Sequence, residues 1–281
     1  MPDLYMHSYT YRGQPLARAA RKAAEYGYDA LELVTLHFDR QNAAASIREA
    51  AQTARNAGSR IAVVDFSGSV IGASPEERAA GEQAVAEVIR AAGEIGAAGV
   101  NGSVGSLVGP DPNNWSANGS RIATEEHYAR ACESYQRLAE IAGEAGVWIS
   151  FEIHMNTPHD TAASTRRLLD LIDDSRVIAN LDPGNMYAVE DAEDIAKSVE
   201  ILGPRLGYVH LKNCRELSGV FDYSWALDSG DIDYFRGLKA VVDSGYSGPY
   251  CIEYCGKGDP SVPAERDAAY FRRTLAEAAS S

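Results

Sequence analysis

"GEAGVWISFEIHM" (Gly143–Met155) begins as the end of an alanine-rich helix, breaks at Gly146 and continues as a strand. Glycine at such a break lets the chain enter the left-handed region that closes many helices. The β-branched and aromatic run that follows suits a pleated strand. Alternation with period two puts Ser150, Glu152 and His154 on one face and Phe151 and Ile153 on the other. Burying a carboxylate on a core strand is costly without compensation. Either this strand runs out into solvent, or it carries chemistry to a site.

The same grammar repeats outward in both directions. Strands are expected at 4–8, 30–34, 60–66, 99–104, 147–153, 177–182, 207–212 and 250–254. Helical stretches are expected near 15–26, 40–57, 75–96, 122–145, 161–173, 191–202, 232–244 and 261–278. "EYGYDA", "RNAGSR", "EIGAAGV", "GEAGVW" and "DSGYSG" each place a glycine where a helix must stop before the next strand. Ser74-Pro75 and Asp259-Pro260 open two helices, with proline in the first turn. Strict alternation predicts one (β/α)8 TIM barrel spanning 1–281 as a single domain, with a doubly wound sheet as the alternative. The barrel requires the chemistry to lie at the C-terminal ends of the strands.

A 281-residue chain that is 45% hydrophobic has ample core for such a barrel. Its formal net charge of -14 is spread along the sequence, with no basic patch to bind nucleic acid or an anionic membrane. Of the four cysteines, Cys251 and Cys255 share one extended segment, where four positions span roughly 13 Å, too far for a disulfide. No charged-then-apolar leader is expected ahead of the first strand, and no apolar run reaches the roughly 20 residues of a membrane helix. The expectation is a soluble, reducing, cytoplasmic setting.

Four successive strands end in ionisable residues of inward parity: Glu152, Asp182 in "NLDPGNM", His210 in "YVHLKN" and Glu253 in "CIEY". Their apolar neighbours Phe151, Ile153, Leu181, Val209, Leu211 and Ile252 have the opposite parity and should pack against the helices. Three carboxylates this close would repel one another, and a divalent cation with one imidazole ligand relieves the repulsion. A mostly oxygen ligand set favours Mn2+, Mg2+ or Co2+, and Zn2+ could also enter it. One such ion per chain is expected, Mn2+ foremost.

These residues also carry a resemblance. The chain resembles the sugar phosphate isomerase/epimerase family, the xylose isomerase-like barrels that include ketose 3-epimerases, hydroxypyruvate isomerase, inosose dehydratase and the more distant endonuclease IV. "YGYDALEL" looks like the family's second strand, "FEIH" its Glu-x-His, "NLDPGNM" its Asp strand and "VHLKN" its His-x-Lys strand. "SGDIDYFRGLKAVVDSGYSGPYCIEY" is similar to the closing segment and is the most specific match. The resemblance implies Glu152, Asp182, His210 and Glu253 as metal ligands. It also implies a sugar substrate and assembly as a dimer or tetramer. Where many members have His three residues after the Asp ligand, this chain has Asn185, and Arg215 is an approximate counterpart of the arginine that 3-epimerases carry after the ligand His.

A carboxylate-held metal acidifies the C–H bond next to a carbonyl and stabilises the enediolate. Glu152 and Glu253 are the candidate bases, one removing the proton and the other returning it on the opposite face. Two facing bases predict epimerisation, return to the neighbouring carbon gives isomerisation, and loss of a β-hydroxyl gives a dehydratase or lyase. His154, Lys212, Asn185 and Arg215 are candidate substrate contacts. His154 and Lys212 could equally form rim salt bridges, and Asn185 an Asx-type turn. His7 and Glu32 either line the opposite wall or are satisfied interior groups. Long connections at 101–120 and 213–230 read as lid or binding loops, the second bringing Tyr223 and Trp225 to the rim. No Arg or Lys cluster or Gly-rich cradle follows strands seven or eight, which points to an unphosphorylated ketose, keto-sugar or polyol. A three-metal nuclease would need more than the six histidines present and a basic surface. A non-catalytic sugar-binding barrel is the remaining alternative.

Overall fold

Runs of β-branched and aromatic residues between glycine-terminated helices do form strands, and the strands close on themselves. The structure, a computed structural model, describes residues 1–281. Strands β1 (Leu4–His7), β2 (Ala30–Leu33), β3 (Ile61–Asp65), β4 (Gly99–Gly102), β5 (Trp148–Glu152), β6 (Val177–Leu181), β7 (Leu206–Leu211) and β10 (Tyr250–Ile252) make one parallel barrel. β1 pairs with both β2 and β10 and so closes it. The helices are α1 (Leu16–Glu25), α2 (Ala43–Asn56), α3 (Pro75–Glu94), α4 (Glu125–Ala145), α5 (Ala162–Ile172), α6 (Pro183–Tyr187), α7 (Ile195–Leu202), α8 (Tyr234–Asp243) and α9 (Ser261–Ser280). No helix is long and apolar enough to cross a membrane. All four cysteines are free.

The helix stops are where the glycines placed them. Gly146 ends α4 at φ 72°, and Gly27, Gly58, Gly96 and Gly245 also take positive φ. Ser74 caps α3 by accepting from the Glu77 N–H, with Pro75 leading the helix. Pro260 departs from expectation: it sits at the cap itself, and α9 starts at Ser261.

Strand parity builds two cores. Outward residues such as Phe151, Ile153, Leu181, Val209, Leu211 and Ile252 join the helices in one large apolar shell. Inside the barrel, Tyr5, Ala30, Val63, Tyr208 and Cys251 fill the lower part, with Trp148 packed against them. Gly99 makes room for that indole, since a Cβ there would fall inside the Trp148 ring. One step further along each strand, the same parity presents His7, Glu32, Asp65, Asn101, Ser150, Asn180 and His210. The barrel interior therefore changes from apolar to polar toward the C-terminal mouth.

Two connections differ from a plain loop. The 213–230 segment contains an antiparallel hairpin, β8 (Asn213–Leu217) and β9 (Val220–Trp225), turning at Ser218 and Gly219, both at positive φ. The 101–120 loop is tied to the segment after β5. Leu107 N–H donates to Asn156 O (2.7 Å), Val104 N–H to His159 Nε2 (3.3 Å) and Ser120 N–H to Asp160 Oδ2 (3.1 Å).

Candidate metal centre

β5, β6, β7 and β10 end side by side around the mouth, and each delivers one ionisable group to the same point. One ligand atom from each of Glu152, Asp182, His210 and Glu253 lies within 4.8 Å of every other. Asp182 and His210 are fully buried, while Glu152 and Glu253 retain slight exposure toward the mouth.

Local structure aims each one. Asp182 is the N-cap of α6, its Oδ1 accepting from the Asn185 N–H at 2.9 Å, so Oδ2 is left facing the cluster. His210 Nε2 lies 2.8 Å from Glu32 Oε2, which also accepts from the Tyr208 hydroxyl at 2.5 Å. His210 Nδ1 therefore points the other way, 3.7 Å from Glu152 Oε1 and 3.8 Å from Asp182 Oδ2. Asp182 Oδ2 and His210 Nδ1 are buried yet make no hydrogen bond within the chain. Asp182 Oδ2 has the Lys212 ammonium 3.1 Å away, whereas His210 Nδ1 has no such partner. Buried polar atoms are rarely left so, and a lone pair aimed among three carboxylates fits a cation there. A set of three carboxylates and one imidazole suits a divalent ion with a preference for oxygen.

Lys212 lies deeper in this cluster than a rim group would. Its Nζ is 2.6 Å from Glu253 Oε2, 3.1 Å from Asp182 Oδ2 and 3.6 Å from Glu152 Oε1. Gly184 leaves space for its stem, because a Cβ at 184 would lie 2.5 Å from Lys212 Cγ. Burial opposes the ammonium charge, but the carboxylates of Asp182, Glu253 and Glu152 raise its pKa well above the lysine norm. Burial likewise opposes ionisation of Glu152 and Glu253, and Lys212, joined by His210 at one and His7 at the other, holds both below the usual range. Asp182 goes the other way: burial, with the charges of Glu152 and Glu253, lifts it to about 6 against Lys212 and His210.

The other residues singled out in the sequence are placed differently. Asn185, expected to face substrate, is buried, and its Nδ2 donates to Glu152 Oε1 (2.8 Å) and Ile153 O (3.1 Å). Its amide is spent on orienting Glu152, because the short helix α6 folds it back under the strand end. His154 is exposed at the rim, its Nδ1 2.9 Å from Met155 O. Arg215 stands on the hairpin outside the cluster. Its Nε donates to Ser229 O at 2.9 Å and its guanidinium lies 3.9 Å from the Trp225 ring centroid. Tyr223 reaches inward and donates to Gly184 O at 3.2 Å.

Asn101 and Asp65 were not picked out from the sequence. Asn101 Nδ2 donates to Glu152 Oε2 at 3.4 Å, while its Oδ1 accepts from Ser150 and Asn180. Asp65 Oδ2 accepts from His7 Nε2 at 3.1 Å, with His7 Nδ1 accepting the Tyr9 N–H. The parity rule that selected Glu152 selects both when applied to "IAVVD" and "GVNG".

A profile of the xylose isomerase-like TIM barrel matches residues 20–274. The chain belongs to that family. Inosose dehydratase of Clostridium perfringens is 28% identical over 160 residues, which is 52% of this chain and 52% of that protein. The chain thus spans about half the length of the curated relatives it matches. Among solved structures, L-ribulose 3-epimerase superposes with a TM-score of 0.80 at 18% identity, covering 99% of this chain and 96% of the other. A family protein from Mycobacterium smegmatis in complex with magnesium superposes at 0.77, with 19% identity and coverage of 99% and 97%. These likenesses fix the fold, and the relatives in the family that bear such names are enzymes.

Proposed function

We propose that this chain, acting as one barrel domain, is a metal-dependent isomerase or epimerase of an unphosphorylated ketose, keto-sugar or related polyol derivative. The observation that carries the reading is the convergence of Glu152, Asp182, His210 and Glu253 on one point, with His210 Nδ1 buried there and making no hydrogen bond. Glu152, Asp182, His210 and Glu253 would hold the ion, with Mn2+ first in the expected order and Mg2+ supported by the magnesium complex of a structural neighbour. When bound, the ion supplies Lewis-acid polarisation of a substrate carbonyl and its neighbouring hydroxyl.

The side chains supply proton movement and orientation. Glu152 and Glu253 are held ionised, so each can accept a proton at a carbon placed between them. Asn101 and Asn185 fix the two oxygens of Glu152, and Lys212 fixes Oε2 of Glu253. Glu152 removes the proton, and Glu253, protonated by Lys212 at 2.6 Å, delivers one on the opposite face; Lys212 recovers its proton from Glu152, 3.6 Å away. The structural likeness to an L-ribulose 3-epimerase supports epimerisation as the first reading.

Dehydration is the second reading, and Lys212 favours it. The Lys212 ammonium beside both bases can give a proton to a departing β-hydroxyl, which leaves as water, and regain one from the carboxylate that took the C–H proton; a curated relative is an inosose dehydratase.

One set of measurements tests both. Metal analysis should find about one divalent ion per chain, lost in Asp182→Asn; full retention overturns the ligand set. Deuterium from solvent should enter the reacting carbon of a ketose, keto-sugar or inosose, and Glu253→Gln should abolish it. NMR of the products separates an epimer from an unsaturated ketone, and no turnover across that panel by a metal-loaded chain overturns both readings.

A further inference from the structure

We propose that Glu32, on the second strand and out of reach of any substrate, is the positioning residue that sets the ring orientation and proton placement of His210. This rests on the metal-centre reading above. Glu32 is fully buried, and a carboxylate in such a place is costly unless its lone pairs are used. Its Oε2 takes two donors at once, the Tyr208 hydroxyl at 2.5 Å and His210 Nε2 at 2.8 Å. Its Oε1 faces His7 Nε2 at 3.9 Å, and that nitrogen is already committed to Asp65 at 3.1 Å.

The consequence is specific to one ring nitrogen. A carboxylate accepts only from a protonated nitrogen, so Glu32 keeps hydrogen on Nε2. The lone pair that can coordinate is then on Nδ1, the atom that faces Glu152 and Asp182. Tyr208, two residues before His210 on the same strand face, packs edge-on to the imidazole with centroids 4.9 Å apart. Ring and carboxylate are thus locked together across the barrel, between strands two and seven. Carboxylates holding the far nitrogen of a ligating histidine typically contribute 10–100-fold to metal affinity.

The test uses the full chain, Mn2+ titrated by calorimetry, and histidine-selective 15N NMR. Glu32→Gln should bind Mn2+ about 10-fold more weakly and Glu32→Leu about 100-fold. The His210 Nε2–H should be slowly exchanging in the wild type and rapidly exchanging or absent in the variants. Should Glu32→Leu fail to fold, Glu32→Gln, which keeps shape and one acceptor oxygen, still reads the effect. Unchanged affinity together with an unchanged Nε2–H in folded Glu32→Gln overturns the positioning role. A wild-type chain that takes up no Mn2+ sinks the metal reading instead, and the NMR result alone then decides the role of Glu32: loss of the protected Nε2–H supports it and persistence overturns it.

Discussion

Glu152 shows how much surrounding structure one proposed catalytic carboxylate needs. The sequence marks it by parity alone, yet its two oxygens are fixed by amides from the end of β4 and from α6, Asn101 and Asn185. Asn185 matters more, since it also satisfies the Ile153 carbonyl and its backbone N–H donates to Asp182, the cap of α6. Replacing it with Leu keeps the cap but frees Glu152 Oε1. Metal affinity should fall about 10-fold on that basis, whereas Asn185→Asp, adding a like charge, should cost about 100-fold or more. Calorimetric titration of both variants checks the order, and equal affinities would remove Asn185 from the centre. His154, two residues on, was legible as a rim group, and its exposure leaves its chemistry to the substrate.

At the level of elements, the mouth is roofed by two segments that meet through aromatic rings. Trp115, on the 101–120 loop, lies 5.7 Å from Phe221 and 6.4 Å from Tyr223 on β9, over a small cluster of Met155, Ala188 and Val189. Aromatic contacts of this kind are worth about 0.5–1.5 kcal/mol beyond their area. Trp115→Ala should therefore raise hydrogen exchange of the 213–225 amides up to about 10-fold, with the barrel strands unaffected. Uniform change across the chain, or none in the hairpin, would show that the rings do not couple the two segments. The hairpin was read only as a long loop, for a physical reason. "VFDYSW" does alternate aromatic and polar residues, but its partner "NCREL" does not, and a ribbon over the mouth buries no continuous face to pattern both strands. The Ser218-Gly219 turn beside that alternating run was the local signal available.

For the whole molecule, closure of the barrel places groups from opposite ends of the chain in one environment, and some of them report on it. Asp267 on α9 is 1% exposed and accepts the Leu227 N–H at 2.8 Å, tying the last helix to the segment after the hairpin. Burial lifts its pKa to about 7, against about 3.9 in an unfolded chain. Because the folded value is the higher, its contribution is fully present below about pH 4 and is lost as pH rises through about 7. Asp267→Asn keeps the acceptor oxygen and removes the titration. Urea unfolding should find the variant more stable than wild type by on the order of 2 kcal/mol at pH 8, with the difference vanishing near pH 4. A constant offset at both pH values would exclude Asp267 as the source.

The sequence by itself determined the alternation of strands and helices, the glycine stops and the inward parity that selects Glu152, Asp182, His210 and Glu253. Each of these follows from backbone geometry within a few residues, so a local reading suffices. Tertiary structure decided which inward groups meet. Lys212 reaches three carboxylates, Asn185 turns away from the mouth, and Glu32 bonds His210 across 178 residues of sequence. Those pairings depend on the stagger and closure of eight strands, which no short stretch encodes.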